Sequence, residues 1–423
     1  MIEIKPITTL NAELAVPGSK SITQRALIIA ALADGVSTLI DPLSSEDTIL
    51  TSEALHQLGI QIDRQDDRWR VHGRGGRLTT PDDDIYLGNN GTATRFLTSV
   101  VSLCQGECII DGDSRMRQRP IGPLVEALRG WGVDIESIHG NGCPPLSIVA
   151  DGIEGGETTL AESQSSQYLS SLLLVTPYAR NEARLHAQGA ILSKPYAIMT
   201  LQMMAACGAA IEASKDLRFF QVAPGRYQPH TWRIEGDASN SSYFHAAAAI
   251  TDGSVTITNI PLPSLQGDAM FVPLLARMGC SVEQTKSGLR VQGTKDLQGI
   301  TVDMGDMPDV APTLAVVAAF AHGPTTINNI AHLRIKECDR LAATVRELTK
   351  LGVRVDEHDD AMVIHGEGGR TLHGADIDTY NDHRMAMSLA VAGLRVPGVK
   401  IHGETCVVKS FPDFWHRFAL LTP

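Results

Sequence analysis

The chain has 423 residues, of which 43 % are hydrophobic and 5 % aromatic, and a formal net charge of −12. That length leaves room for two or three domains with large cores, and the acidic balance excludes general affinity for nucleic acid or anionic membranes. Any anion site must therefore be a local gathering of cations within an acidic body. The seven cysteines are odd in number and scattered, with only Cys104 and Cys108 close together and no CxxC or HExxH spacing. Neither a disulfide framework nor a metal site is expected, and a reduced cytoplasmic compartment is. The opening MIEIKPITTLNAEL has no basic or apolar leader pattern, and the longest apolar runs, such as 314–321, are too short to span a membrane.

In chain order, two strand-like segments, IEIKPI and AELAV, come first and have no unit of their own. One pattern then recurs six times: a polar or charged opening, a helix of small apolar residues, a turn, and a short alternating strand. The openings are GSKSITQRALIIAALADG at Gly18, GNNGTATRFLTSVVSLCQG at Gly88, SQSSQYLSSLLLVTPYA at Ser163, GDASNSSYFHAAAAITDG at Gly236, DMPDVAPTLAVVAAFAHG at Asp306 and NDHRMAMSLAVAGL at Asn381. Successive starts lie 70, 75, 73, 70 and 75 residues apart, a regularity that marks an internal repeat.

A second signal runs in phase with the first. Amphipathic helices end at Gly59, Gly132, Gly208, Gly279 and Gly352 and lead into strands; glycine just past a helix supplies the left-handed stop. Each unit thus reads as two helices with several strands. The sixth copy is short and lacks the second helix, and the N-terminal strands are expected to complete it. Three copies then form one domain over 19–233, and three more form another over 1–18 plus 234–423, with a hinge near 18 and 234. A plain stacked array would keep its openings uniform; these openings differ from copy to copy.

The differences are largely cationic. Lys20 and Arg25 flank the first helix start, Arg95 follows Asn89, Asn90, Gly91 and Thr92, and His383 with Arg384 begins the sixth copy. Between copies lie Arg115, Arg117 and Arg119 in SRMRQRPIG, and Ser193, Lys194 and Tyr196 in ILSKPY. LRIKECDR sets Arg334, Lys336 and Arg340 around the start of a helix expected over 337–351, with Glu337 spaced to pair with either arginine; Lys409 precedes FPDFW. Surface i,i+3 pairs contribute only about 0.2–0.5 kcal/mol, and cations at a helix N-terminus oppose its dipole. Charge-assisted hydrogen bonds, at about 1.5–3 kcal/mol each, favour a small polyanion carrying phosphate or carboxylate groups. Ser165, Ser166 and Gln167 read either as an N-cap or as ligand contacts, and Asp309 either as a cap or as a proton acceptor. His245 reads as a core residue. GSKS lacks the full phosphate-loop spacing, and no GxGxxG follows a strand, so no nucleotide cofactor is indicated.

Nine segments in register, PGSKSITQRA, YLGNNGTATR, RMRQRPIG, SSQYLSSLL, LSKPY, GDASNSSYF, LRIKECDRL, NDHRMAM and KSFPDF, together resemble the 5-enolpyruvylshikimate-3-phosphate (EPSP) synthase family over essentially the whole chain. The resemblance implies a two-domain inside-out α/β barrel of six βαβαββ-like units, helices within and sheets outside. It implies transfer of the enolpyruvyl group of phosphoenolpyruvate to the 5-hydroxyl of shikimate 3-phosphate, by C–O cleavage through a tetrahedral intermediate, with release of phosphate and no cofactor or metal.

By motif, shikimate 3-phosphate falls to Lys20, Ser21, Arg25, Ser165, Ser166, Gln167, Ser193, Tyr196, Asp309, His332 and Lys336. Phosphoenolpyruvate falls to Lys20, Asn89, Gly91, Thr92, Arg119, Gln167, Arg340, Arg384 and Lys409. The catalytic candidates are Lys20, Asp309, Lys336, Glu337 and His383, with Asp309 the candidate base and Glu337 the leading proton donor. Three positions depart from the family pattern: His332 where Asn is frequent, Asn90 for Ala or Ser, and Phe96 for Pro. Gly91 is retained, so sensitivity to glyphosate, and a cytoplasmic monomer with no nucleic-acid or membrane partner, are expected. Two rival readings stand beside this one. UDP-N-acetylglucosamine 1-carboxyvinyltransferase would need a cysteine in the RMRQRPIG loop, and a non-catalytic phosphometabolite binder would have no use for Asp309 and Glu337 among cations.

Overall fold

The computed structural model describes residues 1–162 and 165–421. Ser163 and Gln164, which open the third repeat, and Thr422 and Pro423 lie outside the described residues. Among the described residues, twelve α-helices fall in six pairs: α1 (Lys20–Leu32) with α2 (Glu46–Gln57), α3 (Gly91–Val101) with α4 (Gly122–Gly130), and α5 (Ser166–Val175) with α6 (Lys194–Ala206). The series continues with α7 (Ala238–Thr251) and α8 (Phe271–Arg277), α9 (Ala311–Ala319) and α10 (Arg340–Lys350), and α11 (His383–Gly393) and α12 (Phe414–Ala419).

The first helix of each pair carries almost no charge, so it has no face to offer water. Accordingly α9 and α11 are buried at every position and α7 from Ala238 to Ile250. The second helices are more exposed: α10 buries Leu341, Ala343, Thr344 and Leu348 on one side and turns Arg346 and Lys350 outward. α12 corrects the sequence reading, which gave the sixth copy no second helix. Six residues around Phe414, packed at 5.5 Å from Phe411 and 5.0 Å from Phe418, suffice for a short one.

Each pair of helices serves one sheet. Strand Ile85–Tyr86 runs parallel to Gln105–Asp111, which is antiparallel to Leu146–Asp151, itself antiparallel to Asp134–Ser137. A parallel pair needs a crossover, and α3 supplies it. The same order (first, second, fourth, third along the chain) holds in four of the five four-stranded sheets; in the fifth the late strand Thr231–Arg233 takes the first place beside Asp34–Ile40, and no sheet closes on itself among the described residues. Strands distant in sequence complete two of these and a three-stranded sixth sheet. Thr231–Arg233 lies parallel to Asp34–Ile40, Asn11–Leu14 parallel to Ser254–Ile257, and Ile2–Glu3 antiparallel to Lys400–His402. Only the first N-terminal strand therefore completes the last copy; the second belongs to the fourth. Strand pairing depends on which edge is open, and no local pattern records that.

The chain divides into two compact units, Gly18–Ile234 and Met1–Pro17 with Glu235–Pro423. Each has its own apolar core, one built around Leu27, Leu97 and Leu172 and the other around Phe244, Leu314 and Leu389. The five helix-ending glycines have φ of +83°, +84°, +87°, +108° and +91° in chain order from Gly59 to Gly352, the left-handed stop read from the sequence.

Candidate active site

In the unit Gly18–Ile234, three first helices present their N-termini. Ser19 caps α1 by accepting from the Ile22 amide at 3.4 Å. Lys20, the first residue of that helix, donates to Asp47 Oδ2 at 2.9 Å, so a carboxylate from α2 answers the cation that the helix dipole disfavours. Arg25, one and a half turns on, is 1 % exposed. Its donors go to Thr200 Oγ1 at 2.7 Å, Ser21 O at 3.0 Å, Ser170 Oγ at 3.2 Å and Tyr196 O at 3.3 Å. All four are neutral, and burial pushes the guanidinium pKa down to about 10. A buried charge facing only neutral acceptors is suited to an anion.

The second opening is held by buried amides. Asn90, fully buried, caps α3 through the Ala93 amide at 3.0 Å and donates to Asp47 O at 2.7 Å, while Gln24 donates to Asn90 Oδ1 at 3.1 Å. Asn90 thus ties the start of α3 to α1 and α2. Asn89 accepts from Arg119 Nη1 at 3.0 Å, and Arg119 is buried beside Gly91. A Cβ on Gly91 would stand 2.3 Å from Arg95 Nη1 and 2.6 Å from Arg119 Nη2.

Arg95 is a residue the sequence reading left without a role. It donates to Gly91 O and to Gln167 Oε1, both at 2.9 Å, and Gln167 donates on to Thr92 Oγ1 at 2.9 Å. This chain of bonds fixes three of the expected contacts relative to one another. Its signal was the i,i+4 spacing from Gly91. Of the neighbouring arginines, Arg117 turns to Asp111 at 2.5 Å, while Arg119 joins the cluster.

Ser165 caps α5, accepting from the Gln167 amide at 3.3 Å, with Ser166 buried beside it. Ser193, at the start of α6, has φ +52° and ψ +47°. A non-glycine residue in that region costs on the order of 1–3 kcal/mol. Tyr196 sits a turn later with its ring 5.8 Å from the Arg25 guanidinium.

The other unit, described by itself, holds a denser cluster. Asp309 lies in a 3-10 turn, Pro308–Val310, rather than at a cap. It accepts from Arg384 Nη2 at 2.8 Å and Arg340 Nη1 at 3.1 Å, with Lys336 Nζ at 3.7 Å. Burial alone would raise its pKa, but the charges of Arg384, Lys336 and Arg340 outweigh that and hold it well below the usual carboxylate range. Arg340 also donates to Glu337 Oε2 at 2.7 Å and, through Nε, to Asp382 Oδ2 at 2.7 Å. Asp382, fully buried, caps α11 by accepting from the Arg384 amide at 2.9 Å. It escaped the sequence reading although it stands within NDHR, because its partner lies 42 residues away.

His383 is wholly buried with Nδ1 3.8 Å from Asp382 Oδ1, and Lys409 is buried at the end of the turn Glu404–Lys409. His332 is 2 % exposed; burial, aided by the Lys336 charge, pushes its pKa down to about 4. The helix expected over 337–351 starts at Arg340, capped by Asp339 through the Ala342 amide at 3.0 Å, so Lys336 and Glu337 lie on irregular backbone ahead of it. Arg334 does not pair with Glu337. It turns away to Glu357 at 2.9 Å and Asp339 at 3.1 Å. His245 is a buried core residue.

The repeated α/β architecture, with buried cations gathered at helix starts in each unit, defines a protein built to hold small polyanions beside carboxylates able to handle protons. The family model for EPSP synthase (3-phosphoshikimate 1-carboxyvinyltransferase) matches residues 4–418. A 3-phosphoshikimate 1-carboxyvinyltransferase of Syntrophobacter fumaroxidans is 43 % identical over 418 residues, 99 % of each chain. One from Trichormus variabilis is 42 % identical over 411 residues, 97 % of this chain and 96 % of that protein. The solved EPSP synthase of Acinetobacter baumannii superposes with a TM-score of 0.82 at 27 % identity, covering 99 % of this chain and 98 % of that one. The chain belongs to the EPSP synthase family and is an enzyme with that mixed α/β fold. Among the described residues, no helix is long and apolar enough to cross a membrane.

Proposed function

We propose that this enzyme transfers the enolpyruvyl group of phosphoenolpyruvate to the 5-hydroxyl of shikimate 3-phosphate and releases phosphate. The observation that carries the reading is the convergence of Arg340, Arg384 and Lys336 on Asp309, with Glu337 held by the same Arg340. Both substrates carry a phosphate and a carboxylate, and buried guanidiniums bind such groups with charge-assisted hydrogen bonds. Lys20, Asn89, Gly91, Thr92, Arg119, Gln167, Arg340, Arg384 and Lys409 take phosphoenolpyruvate. Lys20, Ser21, Arg25, Ser165, Ser166, Gln167, Ser193, Tyr196, Asp309, His332 and Lys336 take shikimate 3-phosphate.

The electrostatics of Asp309 give the reaction an order. While three cations hold it, Asp309 stays ionised but is a weak base. An incoming carboxylate or phosphate draws Arg340 and Arg384 toward itself, loosens their hold and raises the basicity of Asp309 toward the 5-hydroxyl proton. Glu337 supplies the proton to the methylene carbon, with Lys20 and His383 as the other proton-handling groups, and the adjacent carbon becomes the electrophile.

The inside-out barrel, with sheets outside and helices within, is the arrangement this reading adopts, supported by the complete burial of α9 and α11. The crossings at residues 17–18 and 234–235 serve as its hinge. The enzyme works as a cytoplasmic monomer and binds glyphosate in place of phosphoenolpyruvate. The test is phosphate release: it should require both substrates and collapse in Glu337→Gln and Lys20→Ala. Turnover with UDP-N-acetylglucosamine instead, or binding without release, would overturn the assignment.

A further inference from the structure

Arg25 carries its charge in the interior with no carboxylate partner among the described residues, and two aromatic rings flank it. Phe96, on α3, sets its ring centroid 5.1 Å from the guanidinium carbon, and Tyr196, on α6, sets its own at 5.8 Å. Both distances fall within the range at which an aromatic face attracts a cation, and that attraction strengthens where water is excluded. Phe96 is 1 % exposed, so its ring faces the guanidinium without competing solvent. The backbone setting is equally specific. Phe96 follows Arg95, which is tied to Gly91 and Gln167, and α3 and α1 pack directly on one another. The position of the ring is therefore fixed by the same helix that presents Gly91 and Thr92.

We propose that Phe96 is a positioning residue for shikimate 3-phosphate: its ring, together with that of Tyr196, holds the Arg25 guanidinium in the orientation that meets the negatively charged end of that substrate. The inference rests on the reading of Arg25 as a shikimate 3-phosphate ligand. Phe96 touches neither substrate; it acts through Arg25. Hydrogen bonds to Thr200, Ser170 and two backbone carbonyls set the plane of the guanidinium, and these acceptors cannot offset its charge. The π-faces supply a negative surface without becoming an anion that would compete with the substrate. A carboxylate in place of Phe96 would neutralise Arg25 and remove its use. An aliphatic side chain would leave the charge unsupported on that side.

The test compares Phe96→Leu, Phe96→Met and Phe96→Tyr with Arg25→Ala in the full-length enzyme, after circular dichroism and thermal melting have established that each variant is folded. Phe96→Leu and Phe96→Met should raise KM for shikimate 3-phosphate about three- to tenfold, with kcat and KM for phosphoenolpyruvate within about twofold, while Phe96→Tyr restores the parent value. Calorimetric titration with shikimate 3-phosphate alone should show the same order. A general packing defect would move both substrates together, and that outcome overturns the proposal. If Arg25→Ala weakens shikimate 3-phosphate but the aliphatic variants do not, the role of Phe96 is wrong and that of Arg25 stands. If Arg25→Ala leaves shikimate 3-phosphate unaffected, both are wrong.

Discussion

Arg340 and Asp382 are joined by a 2.7 Å ion pair at which the guanidinium is 1 % exposed and the carboxylate fully buried. The same arginine reaches Asp309 and Glu337, so one cation holds three carboxylates from three segments of the chain. Removing the arginine takes this counter-charge from fully buried Asp382 in a medium of low polarity, while Asp309 keeps Arg384 and Lys336.

Arg340→Ala is therefore expected to destabilise the enzyme by about 3–5 kcal/mol as well as to abolish turnover. Arg340→Lys keeps the charge but loses the fork that reaches three acceptors, and should fall between the two. Urea unfolding followed by circular dichroism checks both; parent-like stability in Arg340→Ala would contradict the network described here.

Stability should depend on pH in two separate windows. His332 and His245 are both buried, with pKa values pushed from 6.5 down to about 4. Between those values the unfolded chain takes up protons at these histidines that the folded chain refuses, so their contribution to stability falls as pH drops from about 6.5 to 4, against an opposing gain from buried Asp268, whose pKa is pushed up to about 7. His332→Asn should remove its share of that loss, about 3 kcal/mol. Asp309 acts lower: its folded pKa lies below the ordinary 3.8, so its contribution is intact at neutral pH and is lost only as pH falls below about 4. Unfolding curves collected on parent and His332→Asn from about pH 2 to 8 separate the two; parallel curves between about pH 4 and 7 would remove the histidine assignment.

Gly91→Ala places a methyl group against the ends of Arg95 and Arg119, which shift more readily than backbone does. The expected result is a folded enzyme with KM for phosphoenolpyruvate raised about tenfold, a change of about 1.4 kcal/mol, and KM for shikimate 3-phosphate unchanged. Steady-state kinetics with each substrate varied in turn decide it.

Ser165→Asp separates capping from binding. Aspartate caps as well as serine, so the unfolding free energy should change by no more than about 0.5 kcal/mol. The added negative charge should repel a phosphorylated ligand and raise KM for shikimate 3-phosphate by at least about tenfold. An unchanged KM would leave Ser165 with the cap alone.

The repeat was legible because each copy writes its own helix stop: a glycine that must adopt positive φ is visible in the sequence wherever it stands. The cations were legible for a related reason, since Lys20 and Arg340 stand where a helix dipole repels them. Their partners were not. Asp47 lies 27 residues from Lys20 and Asp382 lies 42 from Arg340, and nothing local distinguishes a carboxylate that will be buried against an arginine from one that caps or faces water. The same limit hid the second N-terminal strand, whose neighbour Ser254–Ile257 is specified by an open sheet edge. Arg95 was visible as a charge in an apolar helix, but its hold on Gln167 appears only when α3 and α5 pack together.

A strand made early can be among the last to find its neighbour. Ile2–Glu3 waits for Lys400–His402, and Asn11–Leu14 for Ser254–Ile257, whereas the unit between them holds every strand of its own sheets once Arg233 has emerged. Vectorial synthesis thus favours finishing the inserted unit while the opening segment is still unpaired. Deleting the first fourteen residues or anchoring them to a bulky fusion should then impair the enclosing unit selectively, leaving its insert able to mature.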